Sequence, residues 1–136
     1  MIRTLAILVL LGTIVGLAVT EQVIVDNVYG KMVEETAAII AMVESTPDTH
    51  NPDDFKFGDD IKSRIDKLHR YWIRRERHLS IIIRHIDLTY VSDSLIYARN
   101  FIHFDNKEES MSGLSRLEYF LDTYKNVFGF NGANIL

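Results

Sequence analysis

Residues 2–20 form an apolar run broken only by Arg3. As a helix these nineteen residues span about 28 Å at ~1.5 Å each, close to the ~30 Å hydrocarbon core of a bilayer. In lipid every backbone polar group must be bonded internally, so the run inserts as a helix or not at all. Val23, Val25, Val28, Met32, Ile39 and Met42 continue an apolar stripe at helical spacing with no intervening turn signal. The pattern predicts an uncleaved transmembrane signal anchor over residues 1–20, running on into a helix that leaves the membrane. Two other readings fit the same run. One is a signal peptide cut near the small-x-small sequence Gly16-Leu17-Ala18, which releases a secreted helical binding protein. The other is a buried helix of a soluble protein. Arg3 precedes the run while Glu21 and Asp26 are the first charges after it, so the positive-inside rule places the N-terminus in the cytoplasm and residues 21–136 outside.

Helical periodicity dominates the rest of the chain. The first helix is expected to end near Ser45, because Thr46 precedes Pro47 and the residue before proline avoids the helical region. Residues 46–58 hold both prolines and read as a loop, with Asp59 or Asp60 as the N-cap of a second helix. There Ile61, Ile65, Leu68, Trp72, Leu79, Ile82 and Ile86 follow a 4-3-4 rhythm that only Arg75 breaks. The phase shifts around His85-Ile86-Asp87, which predicts a kink or turn. A third helix carries Leu88, Val91, Leu95, Ala98 and Ile102 on one face and Tyr90, Tyr97, Phe101 and Phe104 on another, which predicts the most buried helix. Asp105 with Glu108 resembles a capping box. Met111, Leu114, Leu117, Leu121, Tyr124 and Phe128 form a last stripe that Gly129 should stop. The fold class is all-α: an N-terminal transmembrane helix continuing into a small antiparallel helical bundle over residues 21–136, with Trp72, Leu79, Phe101, Leu117 and Leu121 in the core.

Composition narrows the chemistry. A chain of 136 residues leaves room for one compact domain. With no cysteine there is no disulfide, thiol nucleophile, cysteine-ligated metal or lipidated cysteine, so a domain outside the cell must hold by packing alone. The net charge of −4 conceals a segregation: residues 62–84 carry eight basic side chains against Asp66 and Glu76, a local +6, and the remainder sums to −10. At 100° per residue Lys67, Arg70, Arg74, Arg77 and Arg84 share the face opposite Ile65, Leu68, Trp72 and Leu79. That face is either a solvated surface answering the acidic remainder or a contact for anionic headgroups or an acidic partner protein. Nucleic acid is excluded as a partner by the acidic balance and by the expected location of the face outside the cytoplasm.

The order of these features resembles a bacterial family known as domain of unknown function 4363. The residues that carry the likeness are the apolar N-terminal segment, the tryptophan in a basic helix (Arg70-Tyr71-Trp72-Ile73-Arg74-Arg75-Glu76) and the His85-Ile86-Asp87 junction. The Tyr97 to Asp105 stretch before a final helix and the terminal Asn134-Ile135-Leu136 complete it. The resemblance implies a small membrane-anchored helical protein and no assigned activity.

Catalytic signals are weak. His78 and His85 are seven apart, about 10 Å along a helix axis and too far for one ion without help. A metal-dependent enzyme built on them and nearby carboxylates is therefore a distant alternative. Asp53-Asp54-Phe55-Lys56-Phe57-Gly58-Asp59-Asp60 places phenylalanines where a calcium loop needs oxygen ligands. Glu35 and Arg75 each interrupt an apolar stripe, which predicts either an ion pair across a hairpin or two side chains snorkelling to the edge of the packing. No nucleophile elbow, phosphate loop, paired-carboxylate or zinc signature occurs. The expected protein is a membrane-anchored interaction or regulatory module without enzymatic activity or cofactor. It touches the bilayer, engages a protein partner the sequence does not identify, and has an oligomeric state the sequence leaves open.

Overall fold

The structure, a computed structural model, describes residues 1–128. The Gly129 stop and the terminal Asn134-Ile135-Leu136 lie outside the described residues. Four α-helices and one 3₁₀ turn, Pro52–Asp54, make up the described chain, with no strand among the described residues.

Helix α1 (Ile2–Ser45) runs unbroken for 44 residues, about 66 Å at ~1.5 Å per residue. Its two halves have opposite fates. Residues 1–21 are all exposed, whereas Val25, Val28, Tyr29, Met32, Thr36, Ile39 and Val43 are buried at helical spacing. The buried stripe therefore begins at Val25, two residues later than the sequence pattern implied. Val23 is exposed, Met42 is only half-buried, and Tyr29 and Val43 close the face. The helix stops at Ser45 as predicted, with the Thr46 hydroxyl donating to Met42 O at 2.8 Å and its N–H to Val43 O at 3.2 Å.

Helix α2 (Asp59–Leu79) has Gly58 as its N-cap, with no side-chain cap. Asp59 and Asp60, expected to supply that cap, occupy the first turn, where their charges oppose the positive end of the helix dipole. Ile61, Ile65, Leu68, Trp72 and Leu79 are buried as the rhythm required. The helix ends earlier than the pattern implied. The Ser80 hydroxyl donates to Arg77 O at 2.8 Å, and the β-branched run Ile81-Ile82-Ile83 favours helix poorly. A turn over residues 80–84 follows. Within it Ile83 is buried, but Ile82, and Ile86 just beyond, are exposed, because both have left the helix whose stripe they appeared to extend.

Helix α3 (His85–His103) buries Leu88, Val91, Leu95, Ala98 and Ile102. Its second apolar face is half open. Tyr90 and Phe104 are exposed, and Phe101, expected in the core, is only half-buried between the rings of Tyr97 and Phe104. Helix α4 (Lys107–Phe128) buries Leu114, Leu117 and Leu121. Its N-terminus is capped by Asn106, whose Oδ1 accepts the Glu109 N–H at 3.0 Å, one residue later than the expected Asp105–Glu108 pair. Asp105 instead ends α3. It adopts φ 57°, and the bonds Asn106 N–H to Phe101 O and Asp105 N–H to Ile102 O form a Schellman closure.

Helix α1 packs against α2 and α4, α2 against α3, and α3 against α4, so each helix has two neighbours around one core. Trp72, Met32, Ile39, Leu95 and Leu117 are fully buried there. Helices α3 and α4 approach closely at Gly113. A Cβ on Gly113 would lie 2.8 Å from both Cα and N of Ala98, which leaves hydrogen as the only side chain that fits.

Candidate interaction surface on the second helix

The sides of α2 are tied to its neighbours. Trp72 Nε1–H donates to Ser92 Oγ at 2.7 Å, and that hydroxyl donates to Glu76 Oε1 at 2.8 Å. Arg64 bonds Glu35 of α1 at 3.1 Å, and Asp66 accepts from Arg99 of α3 at 2.6 Å and meets His103 at 3.0 Å. Burial works to raise the Asp66 carboxyl, but the hydrogen bonds from His103 and Arg99 outweigh it and hold the group below its ordinary value. Lys62 pairs with Asp105 at 2.8 Å. Glu35 was a candidate partner for Arg75; its partner is Arg64. Arg75 and Lys31 both lie over the ring of Tyr71, at 5.6 and 4.4 Å from its centroid. Arg75 therefore interrupts the stripe because it covers an aromatic face at the α1–α2 seam.

Four of the five predicted basic residues come together. Lys67, Arg70, Arg74 and Arg77 are all exposed on α2, directed away from Leu68, Trp72 and Leu79. None of the four forms an ion pair among the described residues. The other cations of residues 62–84 are engaged with carboxylates or, for Arg75, with Tyr71. The four lie within eleven residues, about 15 Å of helix from first to last. Arg84 does not join them. With α2 ending at Leu79, it stands at the N-cap of α3, where its guanidinium bonds the Asp87 carboxylate at 3.0 and 3.3 Å.

His78 sits one turn beyond Arg74, its Nδ1 at 3.2 Å from Arg74 O, and His85 opens α3. Among the described residues no group of three or more histidine, aspartate or glutamate side chains is placed to hold a metal ion.

A concave feature escaped the sequence pattern. A cleft of about 150 Å³ lies at the end of the bundle where α2 turns into α3, lined by Tyr29, Arg84, Asp87, Tyr90, Phe120 and Tyr124. The Tyr29 and Tyr124 rings stack with centroids 4.0 Å apart. Burial, followed by the negative charges of Asp26 and Asp87, pushes the Tyr124 phenol up to about 12. The Tyr29 hydroxyl is buried without a hydrogen-bond partner among the described residues, and burial raises its phenol well above the ordinary tyrosine range. The apolar stripe read from the sequence passes over Tyr29, and nothing in the sequence pairs it with a residue ninety-five positions away.

No family model, no curated protein and no solved structure matches the chain.

Proposed function

We propose that the chain is a single-pass membrane protein whose helical domain, residues 21–136, is an interaction or regulatory module held beside the bilayer. The N-terminus is cytoplasmic and the domain extracytoplasmic. The carrying observation is the split character of α1, which is a single helix exposed over its first half and core over its second. Twelve large apolar side chains between Met1 and Val19 are exposed. At ~1.5–3 kcal/mol for burying each one, hydration of that surface costs on the order of 20 kcal/mol, more than the ~5–15 kcal/mol stability of a whole domain. A bilayer removes the cost. The hydroxyls of the segment suit lipid too, since Thr13 and Thr20 donate to Val9 O and Gly16 O within the helix.

We read the domain as an antiparallel four-helix bundle. Supporting pairs are Tyr29 with Trp72 and Glu35 with Arg64 between α1 and α2, Glu76 with Ser92 and Asp66 with Arg99 between α2 and α3, and Tyr29 with Tyr124, and Thr46 at the end of α1 with Lys107 at the start of α4. Membership of the domain of unknown function 4363 family is part of the same proposal. The contact surface is the row Lys67, Arg70, Arg74 and Arg77, offered to anionic headgroups. Each basic residue near such a surface contributes ~1 kcal/mol.

The test uses the full chain. After a concentrated urea wash it should stay in the membrane fraction with Met1 as its first residue. Release into the wash, or a mature start at Val19, overturns the anchor. Reconstituted with phosphatidylglycerol, the bundle should approach the lipid more closely at low salt than at high salt, measured by energy transfer to a lipid dye. Arg70→Glu, Arg74→Glu and Arg77→Glu together should abolish that salt dependence, and an unchanged response overturns the role of the basic row.

A further inference from the structure

The turn that joins α2 to α3 carries an unusual load. Ile81, Ile82 and Ile86 are 84%, 40% and 54% exposed, while Ile83 between them is buried and pins the turn to the core. Three exposed isoleucines within six residues stand beside the cations Arg77 and Arg84 and the histidines His78 and His85. At this end Asp87 is bonded to Arg84, and Asp26 of α1 and Asp87 act on Tyr124 of α4, which Asp122 and Lys125 flank.

The height of this turn follows from register. Tyr29 meets Trp72, with ring centroids 6.0 Å apart, and Glu35 meets Arg64, so advancing along α2 means receding along α1. Leu79 lies seven residues past Trp72, about 10 Å. The same distance back from Tyr29 reaches Gln22. The isoleucines just beyond Leu79 are therefore level with residues 19–21, where the charge-free stretch of α1 gives way to Glu21.

We propose that this turn is a membrane-docking tip: Ile81, Ile82 and Ile86 enter the headgroup layer of an anionic bilayer while Arg77 and Arg84 engage its phosphates. The inference rests on the membrane-anchored reading of α1. Apolar side chains beside cations, set at the depth where an anchor emerges, are what an interfacial contact requires, and such contacts bury apolar groups ~5–10 Å into the boundary.

The absence of native cysteine permits a clean test. The full chain carrying Ile81→Cys or Ile82→Cys, labelled with an environment-sensitive fluorophore, is reconstituted into vesicles of phosphatidylcholine with phosphatidylglycerol. Headgroup-region spin-labelled lipid then serves as quencher, and only preparations that survive the urea wash are read. Quenching at positions 81 and 82 should exceed that at Asn100→Cys, an exposed site far along α3, by about twofold or more. Adding Ile86→Glu should reduce it toward the Asn100 level. Equal quenching at both ends of the bundle in anchored protein overturns the tip and leaves the anchor standing. A blue shift without lipid quenching that grows with protein density shows a second copy as the occupant and also overturns it. Loss of the protein to the wash removes the anchor and the tip together.

Discussion

The backbone N–H of Phe57 donates to the Asp105 carboxylate at 2.9 Å, across 48 residues of chain. The same carboxylate holds Lys62, and Asp105 sits in the left-handed region that ends α3. Aspartate is among the few residues with a Cβ that tolerate that conformation, and its side chain here satisfies a loop amide and a lysine together. Asp105→Ala should cost about 2 kcal/mol, from the left-handed penalty and the orphaned Phe57 amide. That corresponds to a fall of roughly 8 °C in the melting temperature of the detergent-solubilised chain followed by circular dichroism. Asp105→Asn keeps the backbone tolerance and should lose about half as much. Equal melting of the alanine variant and the parent would refute this account of the junction.

Ser92 relays between Trp72 and Glu76. Ser92→Ala leaves the indole N–H of a fully buried tryptophan without its acceptor, at a cost of about 1–3 kcal/mol. Trp72 is the single tryptophan of the chain, so its emission reports the site directly. The urea midpoint should fall with an unchanged slope, because the folded compactness is retained.

Two glycines should respond with opposite signs. Gly30 lies exposed in α1 with nothing within 4 Å of an added Cβ, so Gly30→Ala should stabilise by about 0.5–1 kcal/mol through helix propensity alone. Gly113→Ala gains the same propensity, but its methyl would lie within 2.8 Å of Ala98 backbone, and α3 and α4 must separate. A net loss of about 1–3 kcal/mol is expected, the range for an overpacked core. Thermal melts of the pair decide it: stabilisation of both variants would show that the α3–α4 crossing yields.

The faces of α1 and α3 were legible in the sequence, since Val25, Val28, Met32 and Ile39, and likewise Leu88, Val91, Leu95, Ala98 and Ile102, repeat at helical spacing and are buried. The end of α2 was not. Ile81 to Ile83 are as apolar as core residues, and neither glycine nor proline marks the turn, so Ile82, Ile86 and Arg84 were assigned to a helix they do not belong to. Pairings between helices depend on relative height, which no single-helix pattern contains. Glu35 could therefore be seen to need a partner, while the choice of Arg64 over Arg75 came only with the packing. The same holds for Gly113, whose role depends on an α3 residue, Ala98, that no period connects to it.

The titrating groups bound the pH range of the fold from both sides. Asp66 and Asp105 are held below the ordinary carboxylate value: burial opposes this, but His103 and Arg99 in one case, and Lys62 and the Phe57 amide in the other, prevail. A depressed carboxyl favours the folded state above the unfolded value of about 4, and the contribution is lost as pH falls through the folded value. At the alkaline end the sign reverses. Burial raises Tyr29, and Tyr124 is pushed up to about 12, so both phenols resist ionisation in the folded chain. Their contribution is complete below the unfolded value of about 10 and disappears as pH rises through the folded values. Stability should therefore be flat near neutrality and fall below about pH 4 and above about pH 10. Tyr29→Phe removes a buried hydroxyl that has no partner among the described residues while keeping the ring on Tyr124. That variant should match or exceed the parent at neutral pH by up to about 1 kcal/mol and lose less stability between neutrality and the alkaline limit. Urea midpoints across the pH range measure both effects, and an alkaline fall of the same depth in the variant as in the parent would remove Tyr29 from the explanation.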